Sequence, residues 1–215
     1  MERFQLRLIT EGKTDRTLLE TLLDHKQRHI DIPRLPPKDV KDAGGYSWLT
    51  KRGNLDAFLN AGDAERFGII VDADTNPIAR WESLRNRLVE FAFDADQLPG
   101  ILPADGLVAT FPKRRPVGVW LMPGNGSPGN VEDFFTSLIR PSDALLSQAR
   151  KCVGAMPAAL MPESGRAKAT YRTWLAWQDG GDGMSPRTAF EAKLYDPAKA
   201  ESFRNWIQRL LDTPA

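Results

Sequence analysis

The chain has 215 residues but only one cysteine, Cys152, so no disulfide can close within it. Its two histidines, His25 and His29, stand four apart with no cysteine near, which argues against a zinc site built from Cys and His. No apolar run approaches the ~20 residues that a membrane-spanning helix needs, and Met1-Glu2-Arg3-Phe4 is no apolar leader. A cytoplasmic protein without a membrane partner is expected. Neither sign of charge is in excess, with 29 Lys and Arg against 28 Asp and Glu, so any nucleic-acid surface has to be local. Repeats and low-complexity tracts are missing, and so is the Gly-x4-Gly-Lys-[Ser/Thr] loop of a fused ATPase. What is present is an ordinary globular composition, 27% charged and 41% hydrophobic, long enough to bury one substantial core.

Strand and helix patterns alternate along the first half. Phe4, Leu6, Leu8 and Ile9 predict a strand over 3–10, and Leu18, Leu19, Leu22 and Leu23 predict a helix capped by Thr14 or Asp15. Between them Gly12 permits a tight turn beside Glu11, and free N–H groups at the helix start can receive an anion. His25 and His29 share a helix face at a metal-compatible spacing but lack a third ligand, and read as solvated. Prolines end the helix over 31–37, Lys38–Lys41 predicts a short strand, and Gly44-Gly45 a turn. Trp48, Leu49, Leu55, Phe58 and Leu59 predict a helix broken near Gly53, with Asn54 as cap.

The β-branched run Ile69-Ile70-Val71 predicts a strand buried on both faces that stops at two carboxylates, Asp72 and Asp74. Alternation in an extended chain would put both carboxylates over one small volume. Alternatively, Asp74 or Thr75 caps the next helix and Asp72 sits in a turn. That helix is marked by Ile78, Trp81, Leu84, Leu88 and Phe91, and Asp94-Ala95-Asp96 after it reads as a solvated loop. Residues 106–111 and 116–122 predict an edge hairpin joined by Pro112-Lys113-Arg114-Arg115. A glycine-rich loop over 123–130 leads into a helix with Glu132 and Asp133 in its first turn, where acids favour the helix dipole. Helices follow over 143–153, 164–178 and from Asp196-Pro197 onward, with Lys168 and Arg172 one turn apart, solvated or facing phosphate. The expected fold is α/β, a mainly parallel Rossmann-like sheet flanked by helices over 1–140 with an edge hairpin, and a helical extension over 141–215 packed on it.

With the first and third strands as neighbours, Glu11 would meet Asp72 and Asp74 at the carboxyl ends of the sheet. An apolar strand ending in Glu11-Gly12-x-x-Asp15, then one ending in Asp72-x-Asp74, resembles the TOPRIM domain of topoisomerases, primases and related nucleases. Gly118-Val119-Trp120-Leu121-Met122-Pro123-Gly124-Asn125, followed by Gly129-Asn130-Val131-Glu132-Asp133, is similar to small stand-alone TOPRIM-like proteins of prokaryotes. The motifs span 4–135, and a weaker likeness runs from Lys168 to Leu211.

The resemblance implies Mg²⁺ or Mn²⁺ on Asp72 and Asp74, with Glu11 in metal coordination, proton transfer or both, and Glu132 helping to hold a second ion. It implies that Gly12, Lys13, Lys113, Arg114 and Arg115 bind backbone phosphate without reading sequence. The chain departs from topoisomerases in that no large mobile domain surrounds a tyrosine such as Tyr46, Tyr171 or Tyr195, and from primases in lacking companion domains for template and nucleotide. The expected function is metal-dependent phosphodiester cleavage of DNA or RNA. The alternative is a non-catalytic module that binds metal with nucleotide phosphate or a partner, which the neutral net charge favours mildly. An aspartyl-nucleophile phosphatase of the haloacid dehalogenase class ranks below both, because the position of its hydroxyl residue is Asn76. A homodimer stays open.

Overall fold

The structure, a computed structural model, describes residues 4–23, 30–32, 45–51, 53–60, 64–91 and 93–215, with Lys13 and Thr14 described by their backbone alone. Its centre is a five-stranded sheet of β1 (Leu6–Thr10), β2 (Ile30–Asp31), β3 (Phe67–Asp72), β4 (Leu107–Ala109) and β5 (Val117–Met122), in the order β2-β1-β3-β5-β4. β2, β1, β3 and β5 run parallel, and β4 closes one edge antiparallel to β5. The expected α/β architecture with its edge hairpin is the observed one. β2 was not expected: it lies where the first helix was read as continuing. His25, His29 and the strand expected at Lys38–Lys41 fall outside the described residues.

Period-two alternation divides the sheet into two apolar faces. Ile9, Ile69, Val71, Val119 and Leu121 face α2 (Gly45–Leu49), α3 (Asn54–Leu59) and α4 (Pro77–Glu90), through Leu49, Leu55, Phe58, Trp81, Leu84 and Leu88. Leu6, Leu8, Ile70, Trp120 and Met122 face the other way. They pack on α1 (Lys13–Leu23), α5 (Val131–Leu138), α7 (Glu163–Ala176) and α9 (Glu201–Asp212). α6 (Ala144–Gly154), capped by Asp143, and α8 (Pro186–Glu191), capped by Ser185, complete the set of labelled α-helices among the described residues.

Three local expectations change. Ile78 stands 68% exposed, because the buried stripe of α4 runs through Trp81, Leu84 and Leu88 and leaves its first turn outward. Neither Asp74 nor Thr75 caps α4; the Asn76 side chain accepts from Ala79 N at 3.0 Å. Gly53, at φ 94°, takes the cap position of α3, and the Asn54 amide instead donates to Trp48 O at 2.8 Å.

The second face is shaped by missing side chains. Gly68 and Gly118 pair in register across β3 and β5, and α9 fills the hollow. A Cβ on Gly118 would stand 2.7 Å from Leu210 Cδ2 and 2.9 Å from Trp206 Cζ2. Gly118→Val is therefore expected to destabilise the protein by roughly 1–3 kcal/mol through overpacking, read from the urea midpoint; an unchanged midpoint would show that α9 can lift without cost.

Candidate active site

Parallel strands deliver their carboxyl ends to one rim, and the acids gather there. β1 ends at Thr10, so Glu11 leaves the sheet beside the end of β3, where the Asp72 N–H donates to Glu11 Oε1 at 2.9 Å. Asp72 in turn accepts the N–H of Val131, the first residue of α5, at 2.9 Å. Two expected site residues are thus joined through one backbone amide, and the second is docked on the positive end of a helix.

Asp15 is the third residue of α1, and its carboxylate reaches back to the Gly12 N–H at 2.9 Å, half of a capping box. The Gly12 N–H, one of the groups expected to receive an anion, is therefore already taken. The fourth acid is Glu132, 4% exposed, whose Oε1 has no hydrogen-bond partner; Lys168 Nζ lies 3.5 Å away as an ion-pair neighbour.

Neighbouring carboxylates raise the cost of ionising Asp72, Asp15 and Glu11. Burial, then the charges of Asp15 and Glu11, push the Asp72 carboxyl up to about 8, with Glu132 adding to the rise. Burial and the Glu132 charge push Asp15 up to about 6, against the pull of Lys168. Glu11 is raised by burial, and the Asp72 amide and the Arg80 charge oppose that rise. Glu11, Asp15, Asp72 and Glu132 therefore share one electrostatic environment.

Asp74 does not join them as alternation implied. Its φ of 51° breaks the extended path just after β3, and its side chain, 59% exposed, pairs with Arg80. Its backbone is tied in both directions to Gly129, in the loop before α5. Arg80 also lies 4.0 Å over the Tyr46 ring. Lys113, Arg114 and Arg115 precede β5, so they sit at the opposite rim, Arg114 over the Phe93 ring and Arg115 over that of Phe67, the first residue of β3. They do not line the acids. The side chain of Lys13 lies outside the described residues.

Among the described residues no group of three or more His, Cys, Asp or Glu is already arranged to hold a metal ion. Two of the four carboxylates accept backbone N–H groups from neighbouring elements and a third from its own helix start, while one Glu132 oxygen is left over. Sequence reasoning passed over Asp15, whose spacing from Glu11 was visible but had a sufficient account as a helix cap. It also passed over Arg80 and the pairing of Lys168 with Glu132, for which no local sequence signal exists.

Among the described residues no helix is long and apolar enough to cross a membrane. Neither the curated proteins nor the solved structures contain a match to the chain. A family model described as a protein of unknown function (DUF3226) matches residues 5–212, so that the acidic rim, the sheet and the helices behind it all fall within the match, and the chain belongs to that family.

Proposed function

We propose that the protein is a Mg²⁺- or Mn²⁺-dependent phosphodiesterase of the TOPRIM kind that cleaves DNA or RNA at the acidic rim. The observation that carries this is the Glu132 oxygen, buried without a hydrogen-bond partner beside three more carboxylates whose ionisation is mutually opposed. A protein leaves a buried oxygen without a hydrogen bond only at a cost, which the Lys168 ion pair offsets in part, and a hard divalent cation is the further partner that all-oxygen donors suit. Glu11, Asp72 and Glu132 are the residues that would hold it, with Asp15 as a further donor, while Asp74 stays with Arg80 outside the group. A divalent ion, when bound, would supply Lewis-acid neutralisation of the phosphoryl oxygens. The chain's own contribution is to bury Glu132, hold Glu11 where a proton can be taken, and set Lys168 beside Glu132 as a positive charge.

The second hypothesis, a non-catalytic module for metal and nucleotide phosphate or a partner, gains from the near-neutral charge and from the absence of a ready ligand cage among the described residues. The two separate when purified protein is incubated with mixed DNA and RNA and Mn²⁺. Cleavage is expected in the wild type and should fall by roughly 10²–10³-fold in Glu11→Gln. Metal-dependent binding with no cleavage by the wild type would rule out the enzyme in favour of the module.

A further inference from the structure

The basic turn that the acidic rim leaves unused has a built surface of its own. Lys113, Arg114 and Arg115 edge a shallow cavity of about 200 Å³ floored by Phe67, Phe93 and Val117, and none of its described lining residues is acidic. The floor is buried, whereas Lys113 and Arg114 are exposed. We propose that this turn anchors the sugar–phosphate backbone of a nucleic-acid strand, at the rim of the sheet opposite the carboxylates. The inference deepens the phosphodiesterase proposal by saying where the strand is held away from the bond that is cut.

The aromatic floor prepares the cations for this role. Arg114 lies 4.8 Å over the Phe93 ring and Arg115 5.6 Å over Phe67. For Arg114, stacking orients the guanidinium plane through its face and leaves its N–H edge for an oxyanion, so little side-chain entropy is lost when phosphate arrives. Lys113 is held at φ 61°, a left-handed conformation that an L-residue with a long side chain rarely keeps without support. Arg114 N donates to Phe111 O at 3.1 Å and closes this turn.

Charge arithmetic favours a strand over a lone phosphate. Exposed cations attract a single small anion weakly, because water and salt screen them. A polyanion that covers several cations at once gains the release of its condensed counterions. β3 runs from Phe67 under Arg115 to Asp72 among the acids, six residues or roughly 17 Å. At about 3.4 Å per nucleotide of duplex, a strand that touches both rims needs at least about five nucleotides.

The test measures binding of a labelled single-stranded oligonucleotide to Asp72→Asn, a background in which binding is read without turnover, with and without Lys113→Gln/Arg114→Gln. The double substitution is expected to weaken binding about tenfold and to reduce the slope of log K against log salt by about 1.4, two cations at ~0.7 each. If the pair does not fold, each single substitution should reduce the slope by about half as much. Unchanged affinity and slope overturn the anchor. A mononucleotide bound as tightly as the strand overturns it too, and reassigns the cavity to a small phosphate ligand. A wild type that fails to cleave, combined with the expected loss of binding, counts against the phosphodiesterase proposal alone.

Discussion

Asp72→Asn is expected to make the metal-free protein more stable at pH 8 while abolishing cleavage. In the folded protein burial and the neighbouring Asp15 and Glu11 raise this carboxyl from 3.8 to about 8. The folded state therefore holds a proton over a range of pH in which the unfolded chain has released its own. Stability falls wherever the folded state binds more protons, so this contribution is fully present below about pH 4 and lost as pH rises to about 8. Asparagine never ionises, and its side-chain oxygen can still accept the Val131 N–H. The difference between variant and wild type should grow from near zero at about pH 4 to a few kcal/mol at about pH 8, part of it shared with Asp15. Urea unfolding in chelator at both pH values measures it. Equal stability at the higher pH would mean that the carboxylates do not oppose one another. Added Mg²⁺ should raise the wild-type midpoint at pH 8 and leave the variant behind.

Trp206→Ala should cost the most stability of any single truncation, roughly 3–5 kcal/mol from lost burial and the cavity left behind. Trp206 is fully buried, packs 5.6 Å from Trp120 and 5.6 Å from Phe203, and donates its indole N–H to Leu107 O at 2.8 Å. Removing it opens the hollow over Gly118 and Gly106 and leaves a carbonyl of the edge strand without its donor. Chemical denaturation of the folded variant supplies the value. A loss below about 1 kcal/mol would show that Phe203 and Leu210 collapse into the space.

Much of this architecture was legible along the chain, because burial and period agree. Ile69, Ile70 and Val71 read as a two-sided strand and lie buried in the middle of the sheet. Glu11 and Asp72 read as neighbours because two parallel strands must end at one rim, and they meet. Asp74 was misplaced because alternation holds only while the backbone stays extended, and a left-handed residue resets it. The basic turn was misplaced for a topological reason that was in principle available. A join that leads into a strand parallel to β3 enters at the amino rim, so Lys113–Arg115 had to lie away from the acids. Asp15 was hidden by having two jobs, since a helix cap and a site carboxylate leave the same mark in the sequence. Arg80 and Lys168 act through tertiary proximity, which no local pattern carries.

α9 closes over the Gly68–Gly118 hollow with residues that follow all five labelled strands in the chain, and Arg66 Nε reaches forward 147 positions to Thr213 O at 2.6 Å. During synthesis the five labelled strands therefore emerge from the ribosome before α9, which covers part of one of their faces. Until α9 is released the nascent protein leaves the Gly68–Gly118 hollow uncovered, and in that interval chaperones or like strands compete for the exposed patch.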